Sequence, residues 1–159
     1  MTGARTVAVR ASTVGDFQPV RDLLSAAHLP IEDLHTAAGL RFWVAEDEDH
    51  IVGAIGLESF GPAALLRSLV VAASHRRQGL GARLIATLER EARARATHVL
   101  VLLTQTAEAF FSRHGFEVIG REHAPDEVKL SAEFKSLCPA SAVCMLKVLS
   151  PTPVGASHE

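Results

Sequence analysis

Ser68-Leu69-Val70-Val71-Ala72-Ala73-Ser74-His75-Arg76-Arg77-Gln78-Gly79-Leu80-Gly81-Ala82 is the stretch on which the reading of this chain turns. An apolar run ends, a basic turn follows, and two glycines open a long amphipathic segment. The first N–H groups of a helix have no partner within it and point at whatever lies ahead, and the helix dipole adds partial positive charge there. Gly79 and Gly81 let the main chain approach a ligand closely, and Arg76 and Arg77 add full charges. The combination outlines a pyrophosphate cradle. The plainer alternative is a strand-to-helix turn with solvated arginines. A Walker loop is excluded, because Ala82-Arg83 follow the second glycine where Lys-Ser/Thr is required. A Rossmann fingerprint lacks its third small residue, since Leu84 stands there. It also lacks its acidic residue after the next strand, where Thr104-Gln105 stand.

Outward from this stretch the chain reads as alternating short elements. Residues 6–10 alternate and are rich in Val, a first strand. Thr13 with Asp16 three positions on has the form of a helix start, and Val20, Leu23, Leu24 and Ala27 recur on one helical face until Pro30. A short second helix is expected over residues 32–38, ended by Gly39. Strands over 41–46 and 51–58 form a hairpin across the acidic turn Glu46-Asp47-Glu48-Asp49, and another strand spans 65–72 after Gly61-Pro62.

Downstream, residues 79–96 form a helix with Leu80, Leu84, Ile85, Leu88 and Ala92 on its buried face and Glu89/Arg93 and Glu91/Arg95 as i,i+4 pairs. Residues 98–103 are an apolar run of buried-strand length. A short helix over 106–113 stops at Gly115, 116–119 is a strand, 126–137 a helix after Pro125, and 143–149 a last strand. Hairpins first and crossovers later predict an α/β fold, a mixed sheet with helices on both faces.

The whole chain is 159 residues, 48% hydrophobic and 21% charged, which suits one buried core and not a disordered chain. A single domain is expected over residues 4–149, followed by a disordered tail over 150–159 with its Ser, Pro and Gly. Sixteen basic against 18 acidic residues give a net charge of −2, which argues against nucleic-acid binding driven by overall charge. No apolar run reaches the ~18 residues of a membrane span. Met1-Thr2-Gly3-Ala4-Arg5 lacks the pattern of an export signal, so the two cysteines are expected to be free thiols in a reducing cytoplasm.

Arg76-Arg77-Gln78-Gly79-Leu80-Gly81 matches the R-x-x-G-x-G loop of acyl-CoA-binding acetyltransferases, and its surroundings agree. The Leu69-Val70-Val71 strand precedes it, an amphipathic helix and an apolar strand follow, and Ala107-Glu108-Ala109-Phe110-Phe111-Ser112-Arg113-His114-Gly115-Phe116 resembles that family's short helix ending in Gly-Phe. From residue 69 to 116 the chain resembles the core of the GNAT superfamily of N-acetyltransferases. The resemblance implies a mostly antiparallel sheet of about 6–7 strands and acetyl-CoA as co-substrate. It implies that the backbone of Leu69, Val70 and Val71 pairs with the pantetheine. The N–H groups of Arg76, Arg77, Gln78, Gly79, Leu80, Gly81 and Ala82 would hold the pyrophosphate, and Phe110 and Phe111 would lie near the thiol end.

A narrower likeness rests on Ala64-Leu65-Leu66-Arg67-Ser68-Leu69 together with residues 133–145, Glu133-Phe134-Lys135-Ser136-Leu137-Cys138-Pro139-Ala140-Ser141-Ala142-Val143-Cys144-Met145. These segments resemble the arsenic-resistance-associated N-acetyltransferases (the ArsN group) and the acetyltransferase part of N-acetylglutamate synthases. The likeness implies a small, amino-acid-like amine acceptor bearing a carboxylate, such as an arsenical or phosphinic analogue. A homodimer is compatible with the superfamily; no nucleic-acid or membrane partner is expected.

Amine acetylation needs a neutral amine, hence a base or a water relay. Relatives place a Glu where Leu65 stands here, so Glu58, ending the preceding strand, is the candidate catalytic base. Its alternative is a solvated strand-end carboxylate. Relatives also carry a Tyr at the position of Phe111, and this chain has none. A CoA thiol resembles a free Cys with a pKa near ~8.5, a tolerable leaving group without full protonation. Arg67, a cation within an apolar run, is the candidate ligand for the acceptor's carboxylate; its alternative is a structural salt bridge. Cys138 and Cys144 lack metal-site spacing. They read either as inert thiols or, through the resemblance, as an arsenic-binding pair. The rival to an enzyme is thus a non-catalytic CoA-binding or thiol-based arsenical-sensing module. His75 in the loop either touches a phosphate or is solvated, and His114 is placed to cap the short helix.

Overall fold

The computed structural model describes residues 7–149; the expected tail and residues 4–6 of the expected domain lie outside them. One seven-stranded sheet runs through the molecule in the order β1-β2-β3-β4-β5-β7-β6. The strands are β1 (Ala8–Ala11), β2 (Leu40–Asp47), β3 (His50–Phe60), β4 (Ala63–Val71), β5 (Val99–Thr104), β6 (Glu117–Ile119) and β7 (Val143–Val148). Four α-helices accompany them: α1 (Phe17–Ala26), α2 (Leu80–Ala94), α3 (Glu108–Arg113) and α4 (Asp126–Lys129). Every paired neighbour is antiparallel except β4 and β5, which α2 joins as a crossover. The expected α/β class, strand number and predominantly antiparallel sheet are what the chain has.

The two sheet faces bury different helices. On one, Leu80, Leu84, Ile85, Leu88 and Ala92 of α2 pack with Ile55, Leu57, Ala64, Leu66, Leu100 and Leu102. On the other, Val20 and Leu24 of α1 pack with Val44, Ala54 and Val70, while Val128 of α4 packs with Leu65, Val101 and Cys144. The period-2 alternation of β4 divides its residues between these faces. At the start of α1, the Asp16 carboxylate accepts from Thr13 N–H at 2.7 Å, the back-bond of a capping box. Arg10 beside it holds that carboxyl down at about 2. Of the two i,i+4 pairs in α2, Glu89 meets Arg93 at 3.8 Å, whereas Arg95 lies over the Trp43 ring at 6.0 Å.

Two expected helices are corrected. Residues 32–38 form successive turns, not a helix. So short a segment is marginal as a helix on its own, and a long-range tie of Asp33 to Arg67 sets its path instead. The expected helix over 126–137 is interrupted: α4 ends at Lys129, and a single π-turn spans Glu133–Leu137. There Cys138 N–H donates to Glu133 O at 3.1 Å, a wide i to i+5 closure.

Candidate active site

The site begins with a defect in the sheet. Ser68 has φ 61, in the left-handed region, and the β3–β4 register shifts between Ala54 and Gly56, so that Ile55 faces both Ser68 and Leu69. This is a β-bulge, which bends a strand and increases its twist. The parallel ladder of β4 and β5 comprises only Ala63–Val99, Ala64–Leu100 and Leu65–Val101. Beyond Leu65 the two strands part. The rest of β4 keeps its partner β3, and the rest of β5 keeps β7. The edges that face each other across the resulting gap are not paired to one another, a place where an amide-bearing chain can add as a strand.

Leu69, Val70 and Val71 line the β4 side of this gap. The Val71 carbonyl also accepts from Arg76 Nε at 3.1 Å. Past β4, Arg77 sits at φ 67 and Gly79 at φ 79 as the N-cap of α2. A Cβ at Gly79 would meet nothing within 4 Å, so glycine is required there by conformation and not by crowding. Gly81 is the reverse: its Cβ would stand 3.1 Å from Phe110 Cζ, so glycine lets the ring of α3 close onto the first turn of α2. Leu80, assigned to the loop, turns its side chain into the core at 3% exposure. Gln78 and Ala82 flank these positions on the loop and in the first turn.

Phe110 lies over that turn and meets Phe111 edge-on at 5.3 Å. Phe111 itself is a core ring between Phe110 and Phe116. His114 is the C-cap of α3. His75 is held in place: Nε2 meets Asp47 Oδ2 and Nδ1 meets Ser74 Oγ, each at 2.7 Å. Two surface grooves of about 440 Å³ each are lined by other segments, one by Arg41, Trp43 and Arg95, the other by Asp22, Asp49 and His50.

On the face opposite α2, immediately before the bulge, lies a buried ion cluster. Arg67 has a fully buried side chain. Its Nη1 and Nη2 donate to the two oxygens of Asp33 at 2.6 and 2.7 Å, and Nη1 also donates to Glu58 Oε1 at 3.2 Å. Nε donates to Ser68 Oγ at 3.2 Å and lies 3.3 Å from Glu133 Oε2. This is the ion pair of the alternative reading. The guanidinium fork of Arg67, the candidate ligand for the acceptor's carboxylate, is closed on Asp33 in this structure. Glu58 is likewise no solvated strand end: it is buried, directly opposite Leu65 in the β3–β4 register. A carboxylate therefore stands across one strand from the position where the resemblance led one to look.

Burial raises Glu58 above the ordinary carboxylate value, against the pull of Arg67. Burial, with Asp33 and Glu58 nearby, pushes Glu133 up to about 7 despite Arg67. Burial also pushes the Cys138 thiol up to about 12 and Cys144 up to about 11. Asp33 and Glu133 are the members that sequence reasoning missed. Both fall in segments expected to be regular helix, and the one available signal was a cation at Arg67 that had to find buried anions.

The acetyltransferase (GNAT) domain profile matches residues 38–118, just over half of the chain. No curated protein sequence matches it. Among solved structures, the N-acetylglutamate synthase of Neisseria gonorrhoeae, complexed with coenzyme A and N-acetyl-glutamate, superposes with a TM-score of 0.77 at 18% identity, over 93% of this chain and 36% of that one. The chain thus spans about a third of that enzyme's length. A Mycobacterium tuberculosis protein in complex with CoA superposes with a TM-score of 0.75 at 26% identity, covering 90% of this chain and 99% of its own. A GNAT-family acetyltransferase of Staphylococcus aureus gives 0.73 at 18% identity, over 91% and 100%.

Proposed function

The chain belongs to the GNAT family of acetyltransferases, and from that premise we propose that it moves an acetyl group from acetyl-CoA to the amine of a small, amino-acid-like acceptor. The observation that carries the reading is the parting of β4 from β5 beside the opening turn of α2. The pantetheine amides add to the free edge of Leu69, Val70 and Val71. The pyrophosphate lies on the N–H groups from Arg76 to Ala82, with the helix dipole and the two arginines supplying positive charge.

The thioester then ends in the gap next to Arg67 and Ser68, and the acceptor enters from the face that carries the ion cluster. The amine loses a proton to that cluster, of which Glu58 is one member, and attacks the thioester carbonyl. The C–S bond breaks and the sulfur departs as a thiolate, with a thiol pKa near ~8.5 that tolerates the absence of a tyrosine donor. The amino-acid-like acceptor finds support in the fold shared with a synthase that holds N-acetyl-glutamate. Within that class we place the arsenical and phosphinic analogues, on the sequence likeness of residues 64–69 and 133–145.

The test is release of free CoA thiol from acetyl-CoA in the presence of a panel of amino acids and their phosphinic and arsenical analogues. Turnover with at least one member is expected. Tight CoA binding with no thiol released by any amine would leave a coenzyme-binding module instead.

A further inference from the structure

Resting on the acetyl-transfer reading above, we propose that Glu133 is the group that takes the proton from the acceptor amine, as the proton-bearing member of the three-carboxylate cluster around Arg67. Asp33, Glu58 and Glu133 approach one guanidinium at 2.6, 3.2 and 3.3 Å, with side chains 8%, 6% and 5% exposed. Fully ionised, the cluster would carry two uncompensated negative charges out of water, which a poorly solvated site resists by holding a proton.

The geometry says where that proton sits. Asp33 has both ends of the guanidinium fork, the strongest compensation available to a carboxylate. Glu58 has a direct bond from Nη1. Glu133 has the longer approach of Nε, which Ser68 Oγ shares, and the weak donor of the Cys138 thiol. The groups facing it are Arg67 from β4, Glu58 from β3, Asp33 from the segment before β2, and the Cys138 thiol from the following loop. Arg121 adds positive charge beside Cys138. The π-turn also bears on function, because wide turns of this kind gather at functional sites. Here one takes Glu133 out of a regular helix toward the residue that precedes the bulge.

The step balances without a further reactant. The acceptor ammonium gives one proton, through water, to the Glu133 carboxylate. The freed lone pair forms the N–C bond at the thioester carbonyl, the C–S bond breaks, and the sulfur leaves as a thiolate that takes up the amine's second proton through water. Glu133 returns its proton to solvent. Because Glu133 acts in its ionised form, kcat/KM for the acceptor rises with pH as this group loses its proton.

The experiment is the pH profile of kcat/KM, read by thiol release, for the wild type, Glu133→Gln and Glu58→Gln. A ¹³C-carboxyl NMR titration of glutamate-labelled protein accompanies it. The wild type is expected to show a rising limb near pH 7 and one glutamate resonance titrating with it. Glu133→Gln loses both and falls on the order of 10²-fold or more at neutral pH. Glu58→Gln retains a rising limb, moved to lower pH, since a neighbouring negative charge has gone. A wild-type profile in Glu133→Gln overturns the assignment, and so does loss of the limb in Glu58→Gln alone. Should Glu133→Gln not fold, the wild-type resonance and the direction of the Glu58→Gln shift decide. A wild type that releases no thiol with any amine removes the enzymatic reading and this assignment together, a result distinct from either of those.

Discussion

The two sides of the β4–β5 gap are built from different materials. On the α2 side, where we place the coenzyme, the material is main chain: a strand edge not paired to β5, a bulge at Ser68, and a turn through Arg77 and Gly79 into a helix. On the opposite side, where we place the acceptor, it is charged side chain: three carboxylates, from residues 33, 58 and 133, within 3.3 Å of the Arg67 guanidinium. A main-chain site tolerates many side chains provided that the backbone path is kept. A side-chain site is exposed to single substitutions. Changes on the two sides should therefore differ in size and in how they depend on pH.

The largest effect is expected from Arg67→Ala. Removing the one cation leaves three carboxylates buried among themselves, and breaking a buried pair in this way costs about 3–5 kcal/mol. Urea unfolding at pH 8 should show it as a lower midpoint. The loss should shrink at pH 5, because burial lets Glu133 accept a proton there and the orphaned charge falls. An equal loss at both pH values would mean that the cluster is held by packing and not by charge.

Glu133→Gln comes next, and its sign is the informative part. Burial raises the folded-state carboxyl from 4.5 to about 7. Between these values the folded chain holds a proton that the unfolded chain has released. The wild type's advantage from this group is thus present below about 4.5 and is lost as pH rises through about 7, on the order of 3 kcal/mol across the window. Glutamine does not titrate, so the variant should gain on the wild type steadily from pH 5 to pH 8 in thermal melts. A pH-independent difference would place Glu133 outside the proton balance of folding.

The same contrast decides what could be read in advance. The coenzyme side was legible because its determinants are contiguous. The strand, the basic turn and the glycines lie within residues 68–82, and the buried face of α2 follows from a local 3.6-residue period. The succession of strands along the chain and the buried face of α2 came from such local patterns. On the opposite side only Arg67 and Glu58 were legible, Arg67 with an ion pair among its readings and Glu58 as a strand-end carboxylate, and neither with its partners named. Asp33 and Glu133 lie 34 residues before and 66 residues after Arg67, and the bonds they make outweigh the helix propensity of their own segments. Nothing in a local window encodes that a turn at 33 and a π-turn at 133 close on one cation. The bulge at Ser68 was equally hidden, because serine gives no local sign that it will adopt a positive φ.

The smallest effects belong to the coenzyme turn, where conformation and charge can be separated. Gly79→Ala adds a methyl group that touches nothing, so its cost is the left-handed backbone alone, about 1 kcal/mol. If the turn binds pyrophosphate through its N–H groups, that strain should also appear as weaker CoA binding in calorimetry. Arg76→Ala leaves the path intact and removes an exposed charge whose hydrogen bond returns to Val71 O. Exposed charges at such range contribute about 0–1 kcal/mol and are screened by salt. CoA affinity should therefore fall only a few-fold at low ionic strength, and the difference should vanish near ~0.5 M salt. The Gly79→Ala deficit should persist there, because torsional strain is indifferent to counterions. If the arginine deficit proved both larger and salt-resistant, the diphosphate would be held by side chains after all, and the division between a main-chain side and a side-chain side would fail.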